Sequence, residues 1–351
     1  MSIQTIAWHN HKIRIIDQTK LPLELEYLYL EDLKSLWQAI RQMRIRGAPA
    51  LGAAAALGVY LGIKDTKAKN FYLFSRELDR VVKYLATCRP TARNLFWALE
   101  RIRNVVFKNK EKPIPFLKNL IFKEANRIIL EDRTACRKIG DYGAGLLKNK
   151  DTVLTICNAG ILATIDYGTA LGVIYQAKEK RKLIKVYACE TRPMLQGARL
   201  TTWELRKKGI DVTLICDNTA ATLMQKKRIN AVITGADRIA LNGDAANKIG
   251  TYNLAVLSAY HRIPFYIAAP ISSFDFRIKN GKDIPIEERK REEVTELFFK
   301  KPVAEKNIKV FNPVFDVTPH NLITAIITDK GVIKPPYQKN IKKLLVRNVH
   351  Q

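Results

Sequence analysis

Residues 155–172 read TICNAGILATIDYGTALG and decide how the second half of the chain folds. The apolar run at residues 153–156 has the length of a buried strand. Cys157 follows it at once, and Asn158, Ala159 and Gly160 supply a turn before a segment typical of a helix. This pattern predicts that Cys157 lies at the carboxyl edge of a parallel sheet, where open α/β folds bind small ligands.

A second polar stretch, GADRIALNGDAANKIGTY at residues 235–252, also follows an apolar run, at residues 231–234. Asp237 would then lie at the end of its own strand. A thiol and a carboxylate so placed can face one crevice, an arrangement suited to proton or hydride transfer on a small substrate. The residues alone leave two alternatives open, since most free cysteines are small buried apolar residues and an aspartate here could cap the next turn.

The same stretch predicts an anion site. The residues after Ala246 have the pattern of a helix that begins at Asn247 and Lys248 and runs to residue 259. A lysine beside the free amides of a helix start attracts phosphate. The alternative is a solvated lysine, the usual state of this residue.

The order of patterns along the chain predicts the fold class. Strand-like alternation covers residues 4–30, helical spacing extends from residue 31 to about 148, and strands then alternate with helices from Asp151. The predicted strands are residues 153–156, 184–188, 212–215, 231–234 and 265–269. We therefore predict an α/β protein, with a mostly helical N-terminal domain carrying a small β element (1–150) and a Rossmann-like, doubly wound parallel sheet domain (151–351).

The charge balance is strongly basic, with 60 Lys and Arg against 33 Asp and Glu and a formal net charge of +27. The basic residues lie in scattered clusters and form no aromatic-studded stripe on which bases could stack. We therefore predict solvated basic surfaces, with no specific nucleic-acid partner. The uncharged run at residues 47–63 is short for a membrane span and rich in Gly and Ala, which predicts a buried helix and no membrane partner.

The five cysteines form no C-x-x-C pair, which predicts no metal site and a reduced, cytoplasmic protein. The N-terminus lacks the layout of a signal peptide, in line with that location. No G-x-G-x-x-G opens the first strand–helix unit and no G-x-x-x-x-G-K-[ST] occurs, so the sequence implies no organic cofactor.

Seven segments in this order resemble the methylthioribose-1-phosphate isomerase family, and together they span nearly the whole chain. They are RIRGAPALGAAAALG (44–58), RPTARNLFWALER (89–101), CNAGILATIDYGTALGVI (157–174), ETRPMLQGARLTTWEL (190–205), GADRIALNGDAANKIGTYNLAVLS (235–258), DIPIEER (283–289) and NPVFDVTPHNLITAII (312–327). Regulatory subunits of a translation-initiation exchange factor and an archaeal ribose-1,5-bisphosphate isomerase belong to the same fold family.

The resemblance assigns roles to positions of this sequence. Cys157 and Asp237 match the family's catalytic cysteine and acid. The positions that match substrate-binding residues are Arg46, Gly47, Ala48, Arg89, Gln196, Asn247 and Lys248. A carboxylic acid donates a proton at neutral pH only when its pKa is raised, as burial would do.

The activity that the resemblance implies is aldose–ketose isomerisation of 5-methylthioribose 1-phosphate in methionine salvage, by a homodimer. Two alternatives stay open at this point. One is isomerisation of ribose 1,5-bisphosphate, which would need a second phosphate subsite. The other is a non-catalytic regulatory subunit of a translation factor, although such relatives generally lack the cysteine–aspartate pair that this chain has.

Overall fold

The computed structural model describes residues 3–89 and 91–349, and the chain forms two compact units. The first unit runs through Cys136 and also takes in Ile161–Gly168. The second unit consists of Arg137–Gly160 and the chain from Thr169 onward. The division into domains at residues 1–150 and 151–351 stays a prediction.

The first unit combines a small antiparallel sheet with a set of helices. Its strands are β1 (Ile6–His9), β2 (Lys12–Ile16) and β3 (Tyr27–Leu30), paired in that order. Its helices are α1 (Leu33–Arg41), α2 (Ala48–Ile63), α3 (Phe71–Ala86), α4 (Arg93–Lys108) and α5 (Ile114–Ala144), of which α5 continues into the second unit.

The uncharged run forms helix α2, which lies within the core of the first unit. Apart from Ala48, Pro49, Tyr60 and Gly62 its residues are buried, so this helix needs no polar face. None of the helices in the described part of the chain combines the length and the apolar character that a membrane crossing needs.

The second unit is built on a seven-stranded sheet. Its strands and those of a smaller sheet are β4 (Thr152–Thr155), β5 (Lys185–Cys189), β6 (Asp211–Ile215), β7 (Ala231–Thr234), β8 (Arg238–Ala240), β9 (Ala245–Lys248), β10 (Phe265–Ala268), β11 (Phe274–Asp275), β12 (Phe315–Thr318), β13 (Ala325–Thr328) and β14 (Gly331–Ile333). The helices are α6 (Ala170–Glu179), α7 (Thr202–Lys207), α8 (Thr219–Gln225), α9 (Thr251–His261), α10 (Glu292–Thr295) and α11 (Tyr337–Val349).

The large sheet has the order β14-β13-β10-β7-β4-β5-β6, and only the edge strand β14 pairs antiparallel. Its six parallel strands, counted along the chain, therefore lie in the order 3-2-1-4-5-6, which is that of the Rossmann fold. The predicted fold class is confirmed, and each of the five predicted strands lies within one residue of its observed bounds. The four-stranded sheet has the order β11-β8-β9-β12.

One local prediction about a helix start was wrong. The turn after Cys157 leads only into a single 3-10 turn at Ile161–Ala163, because residues 161–168 belong to the first unit, and the α-helix α6 begins only at Ala170. Helix α4 begins at Arg93 with Ala92 as its N-cap, and Pro90 lies outside the described residues.

The segment 161–168 is held within the first unit by a carboxyl group on α5. Oδ2 of Asp132 accepts a hydrogen bond from the amide of Ile165 at 3.0 Å, and Ile165 itself is buried in the core. Burial raises the pKa of Asp132 to about 7, and the neighbouring Asp166 acts in the same direction. The folded state therefore keeps this proton to a higher pH than the unfolded chain does.

We expect Asp132→Asn to remove a pH-dependent loss of stability. The pKa of Asp132 is higher in the folded than in the unfolded state. Its protonated carboxyl group therefore contributes fully to the free energy of unfolding below about pH 4, and this contribution declines as pH rises towards 7. The residue is partly exposed, so the variant should gain on the order of 1 kcal/mol over wild type between pH 5 and pH 8. Urea unfolding across this range measures it. Asp141→Asn, at an exposed position of the same helix, is the control, and parallel curves for wild type and Asp132→Asn would contradict the assignment.

Candidate functional site

Cys157 and Asp237 follow two neighbouring strands at the centre of the large sheet. Cys157 comes two residues after β4, and Asp237 three residues after β7. These strands pair in parallel, with Val153 opposite Ala231. They are the first and fourth parallel strands along the chain, so the strand order reverses between them. Such a reversal opens a crevice at the carboxyl ends of the strands, where α/β folds bind ligands.

The loops that carry the two residues approach each other closely. A Cβ atom on Gly235 would lie 2.8 Å from Cβ of Ala159, closer than two carbon atoms pack, so a glycine is needed there. On the other side, the carbonyl of Ala159 accepts hydrogen bonds from the amides of Thr169 (2.9 Å) and Leu171 (3.2 Å) at the start of α6. The two loops therefore form one continuous surface at the switch point.

Cys157 is partly exposed and has an unusual backbone conformation. Its φ is 63°, in the left-handed region that few residues other than glycine adopt. Its amide donates to Oγ1 of Thr191 at 2.8 Å, and its carbonyl accepts from Oγ1 of Thr201 at 2.6 Å. Both sides of the residue are thus held by threonine hydroxyls from other segments.

A buried carboxylate behind the Cys157 loop was missed by the sequence reasoning. Glu204 is 1% exposed and accepts hydrogen bonds from Nδ2 of Asn158 and the hydroxyl of Tyr175, both at 2.8 Å. A Cβ atom on Gly160 would lie 2.1 Å from Oε2 of Glu204, so the loop passes directly over this carboxylate. The signal was present, because Glu204 lies at helical spacing from the apolar Leu200, on the side that becomes buried.

Gln196 precedes a π-helix at Gly197–Thr201, which continues directly into helix α7. Gln196 is 4% exposed, and among the described residues its Oε1 has no hydrogen-bond partner. Buried acceptors without partners are uncommon in proteins, so this oxygen is suited to accept a hydrogen bond from a ligand. Single π-helical turns are also frequent at functional sites.

The prediction that Asn247 and Lys248 begin a helix was wrong. They end strand β9, which pairs with β8 in a hairpin whose turn contains Asn242 and Gly243. Asn-Gly is a strong hairpin signal, and Gly243 has the positive φ, 96°, that such turns require. Both side chains are nevertheless buried, and Nζ of Lys248 lies 5.2 Å from the ring centroid of Phe315.

The predicted free amides at a helix start are already occupied by a carboxylate. Helix α9 begins at Thr251, and Asp316 of strand β12 accepts from the amides of Gly250 (2.7 Å) and Tyr252 (3.0 Å). Burial raises the pKa of Asp316 to about 6, while these amides and Lys248 act in the opposite direction. A phosphate at this point would have to displace Asp316, so the prediction of free amides at this helix start was wrong, whereas the role of Lys248 as a phosphate ligand stays a prediction.

The remaining predicted binding residues belong to the first unit. Nε of Arg46 donates to Oε1 of Gln18 at 3.0 Å, and Nε2 of Gln18 donates to the carbonyl of Leu162 at 2.8 Å. Gly47, with a φ of 96°, precedes Ala48 at the start of α2, and a Cβ atom there would lie 2.3 Å from Cα of Ala163. The structure therefore gathers Arg46 and Gly47 around residues 161–163.

Arg89 lies within the α3–α4 connection, with NH1 3.7 Å from Sδ of Met43. The prediction that Arg46, Gly47, Ala48 and Arg89 bind the same ligand as Gln196, Asn247 and Lys248 stays a prediction. The described residues contain no group of three or more His, Cys, Asp or Glu side chains placed to hold a metal ion.

The strand order 3-2-1-4-5-6, with a cysteine and an aspartate at its switch point, defines an α/β protein of the Rossmann-like class, in which the switch point is the usual place for small-molecule binding. Within this class, residues 44–335 match the model of the Initiation factor 2 subunit family, and the chain belongs to that family.

Its curated relatives in the family include sugar-phosphate isomerases. The chain is 53% identical to the 5-deoxyribose 1-phosphate isomerase of Moorella thermoacetica, over 98% of this chain and 97% of the relative. It is 54% identical to the methylthioribose-1-phosphate isomerase of Geotalea daltonii, over 98% of this chain and 99% of the relative.

Two solved structures that are described by different names resemble this chain. The 5-methylthioribose 1-phosphate isomerase of Pyrococcus horikoshii has a TM-score of 0.89 at 46% identity, covering 98% of this chain and 96% of that one. A structure from A. fulgidus described as translation initiation factor eIF-2B subunit delta has a TM-score of 0.86, also at 46% identity, covering 98% and 100%. The predicted family resemblance is confirmed.

Proposed function

We propose that this protein is an aldose–ketose isomerase that converts 5-methylthioribose 1-phosphate to 5-methylthioribulose 1-phosphate in methionine salvage. The observation that carries the proposal is the 54% identity, over 98% of the chain, to a relative named for this isomerisation. The location of Cys157 and Asp237 at the sheet's switch point supports it independently, because a reactive pair is needed where the ligand binds.

The chemistry explains why an acid is needed. In the substrate the phosphate blocks the anomeric oxygen, so the ring cannot open to a free aldehyde unaided. We propose that Asp237 donates a proton to the ring oxygen as the bond from that oxygen to carbon 1 breaks. Asp237 is partly buried, and its amide donates to the carbonyl of Ala246 at 2.9 Å, which fixes the backbone from which the carboxyl group projects.

Hydrogen then moves from carbon 2 to carbon 1, so that carbon 2 is oxidised to the ketone, carbon 1 is reduced, and the proton of the 2-hydroxyl is released. No external oxidant or reductant is required. Cys157 serves either as a thiolate base in a proton route or as a group that stabilises the transition state of a hydride shift. Isomerisation in D₂O decides between them, since deuterium at carbon 1 of the product indicates the proton route and its absence the hydride route.

The test of the function is turnover of three sugar phosphates side by side. We expect methylthioribose 1-phosphate to be converted with the highest kcat/KM. A second substrate, 5-deoxyribose 1-phosphate, is favoured by the name of the Moorella relative, and it has the same blocked anomeric carbon. Ribose 1,5-bisphosphate is the third. Preference for it would overturn the proposed substrate, and turnover of none would favour the regulatory subunit that the A. fulgidus name suggests.

We propose that Arg46, Gly47, Ala48, Arg89, Gln196, Asn247 and Lys248 bind the substrate, with the cationic side chains on the phosphate. Lys248→Ala and Arg89→Ala should therefore raise KM by more than they lower kcat, since a phosphate that takes no part in bond making is bound alike in ground and transition states. Steady-state kinetics measures the split. Lys185→Ala, an exposed lysine at the amino end of β5, is the matched control. An unchanged KM in both test variants would place the phosphate elsewhere.

We propose that the protein acts in the cytoplasm as a homodimer. Five free cysteines, three of them buried, are in keeping with a reducing compartment. Helix α9 supports self-association, because Tyr252, Val256 and Tyr260 recur at four-residue spacing and are 44%, 41% and 81% exposed. Sedimentation equilibrium measures the assembly state directly.

A further inference from the structure

Two residues with left-handed backbones meet beside the proposed reaction centre. Cys157 has a φ of 63°, and Thr191, whose hydroxyl accepts the Cys157 amide hydrogen bond, has a φ of 69°. For a β-branched residue such as threonine this conformation is a clear outlier. Strained backbone of this kind persists only where the surroundings hold it, and it concentrates at functional sites.

The contacts that hold Thr191 run along the carboxyl edge of the sheet. The carboxylate of Asp217, in the loop after β6, accepts from the amides of Thr191 and Arg192, both at 2.8 Å. The Thr191 hydroxyl donates to the carbonyl of Cys189, the last residue of β5, at 3.0 Å. That hydroxyl therefore has both of its roles defined, as donor to Cys189 and as acceptor from Cys157. Together with the bond from its amide to Asp217, it makes Thr191 a link between the ends of three adjacent strands, β4, β5 and β6.

A second hydroxyl holds the other side of Cys157. Thr201, on the π-helix, is fully buried, and its Oγ1 donates to the carbonyl of Cys157 at 2.6 Å. The same oxygen accepts from Nδ2 of Asn158 at 3.3 Å. Thr201 is the last residue of the π-helix at Gly197–Thr201, and single π-helical turns are frequent at functional sites.

We propose that Thr191 and Thr201 are positioning residues that hold the backbone of Cys157 in its left-handed conformation and so set the direction of its thiol towards the substrate. The inference rests on the proposed function for its catalytic consequence. Both hydrogen bonds are made to the backbone of Cys157, so they act on the Cα–Cβ direction. Correct orientation of a reacting group is itself a large factor, since a displacement of about 1 Å can cost roughly 100-fold in rate.

The test compares isosteric loss of each hydroxyl with its retention. Thr191→Val and Thr201→Val remove the hydroxyl, whereas Thr191→Ser and Thr201→Ser keep it. Thr328→Val is a matched control, because Thr328 is also fully buried, donates to the carbonyl of Gly331 (2.8 Å) and accepts from the amide of Lys330 (3.1 Å), on strand β13. Each valine variant tests the proposal by itself, so failure of one to fold leaves the other.

The first readout needs no substrate. Alkylation of Cys157 by iodoacetamide, followed by mass spectrometry of its peptide, should become roughly fivefold faster in the valine variants, the factor that corresponds to the loss of one net hydrogen bond. The second readout is steady-state turnover of methylthioribose 1-phosphate, where kcat should fall roughly 10- to 100-fold with little change in KM. The serine variants should restore both readouts, and Thr328→Val should resemble wild type in both.

Two results would overturn the proposal. One is wild-type alkylation and kcat in the valine variants, and the other is an equal change in Thr328→Val, which would mean a general loosening of the unit. Absence of turnover by the wild-type protein on every sugar phosphate would instead refute the proposed function, and the alkylation comparison would still decide whether the two threonines position the thiol.

Discussion

Replacing Asp237 with Asn is expected to lower kcat for methylthioribose 1-phosphate by a factor of at least about 10²–10⁴, which is the usual rate contribution of general acid–base catalysis. The amide keeps the size and polarity of the carboxyl group but cannot deliver a proton to the ring oxygen. Because the main-chain bond from Asp237 to Ala246 does not involve the side chain, the loop should keep its course. KM should change little, and thermal unfolding should stay close to wild type.

Asp211→Asn is the control for this prediction. Asp211 is an exposed carboxylate at the amino end of β6, the end of the sheet opposite to the switch point, and its loss should leave kcat unchanged. Turnover close to wild type in Asp237→Asn would remove the proposed acid from the mechanism. The ring oxygen would then need another proton donor when its bond to carbon 1 breaks, and the proposed ring-opening step would be untenable.

The sheet that carries this pair was readable from the sequence because its central strands β4, β7, β10 and β13 are buried on both faces. Such strands are short continuous apolar runs, and residues 231–234 were predicted with their observed bounds. Strand–helix alternation then predicts parallel pairing. The order of the strands was not predicted, yet it is the order that makes β4 and β7 neighbours and brings the loops of Cys157 and Asp237 together.

The four-stranded sheet was not predicted because its strands pair with partners that are distant along the chain. Strand β9 pairs with β12, whose residues lie about seventy positions further along the chain, and no local pattern reports such a partner. This pairing sets Asp316 opposite Asn247, and it explains why the amides before α9 are occupied and not free. The hairpin of β8 and β9 did have a local signal, the pair Asn242-Gly243, which the apolar spacing after Ala246 outweighed.

Residues 161–168 show a different limit of local reasoning. Ile161, Leu162 and Ile165 are apolar and fit a helix that would follow the Cys157 turn, but they are buried in the first unit instead. The close approach of Gly47 to Ala163 and the bond from Gln18 to Leu162 fix them there. A segment that leaves one compact unit for another and returns has no signature in periodicity, since it is the tertiary partner that decides its conformation.

Replacing Cys157 with Ser is the second expected large effect, with a loss of kcat of at least about 10², because a hydroxyl neither ionises nor reacts as a thiol does near neutral pH. Serine keeps the hydrogen bonds that the Cys157 backbone makes to Thr191 and Thr201, so the fold and KM should be retained. If the thiol and Asp237 act as one unit, the double variant Cys157→Ser/Asp237→Asn should be little slower than the slower single variant.

Serine replacements at Cys88, Cys136, Cys189 and Cys216 are the controls, and Cys216→Ser is the cleanest of them because that residue is exposed and lies outside the core. Burial raises the pKa of the Cys88 thiol to about 11 and that of Cys136 and Cys189 further still, so none of these three supplies a thiolate at neutral pH. Among the five cysteines, only Cys157 should therefore be needed for activity. Near-wild-type turnover by Cys157→Ser would mean that the left-handed backbone at this position serves the loop and not the reaction.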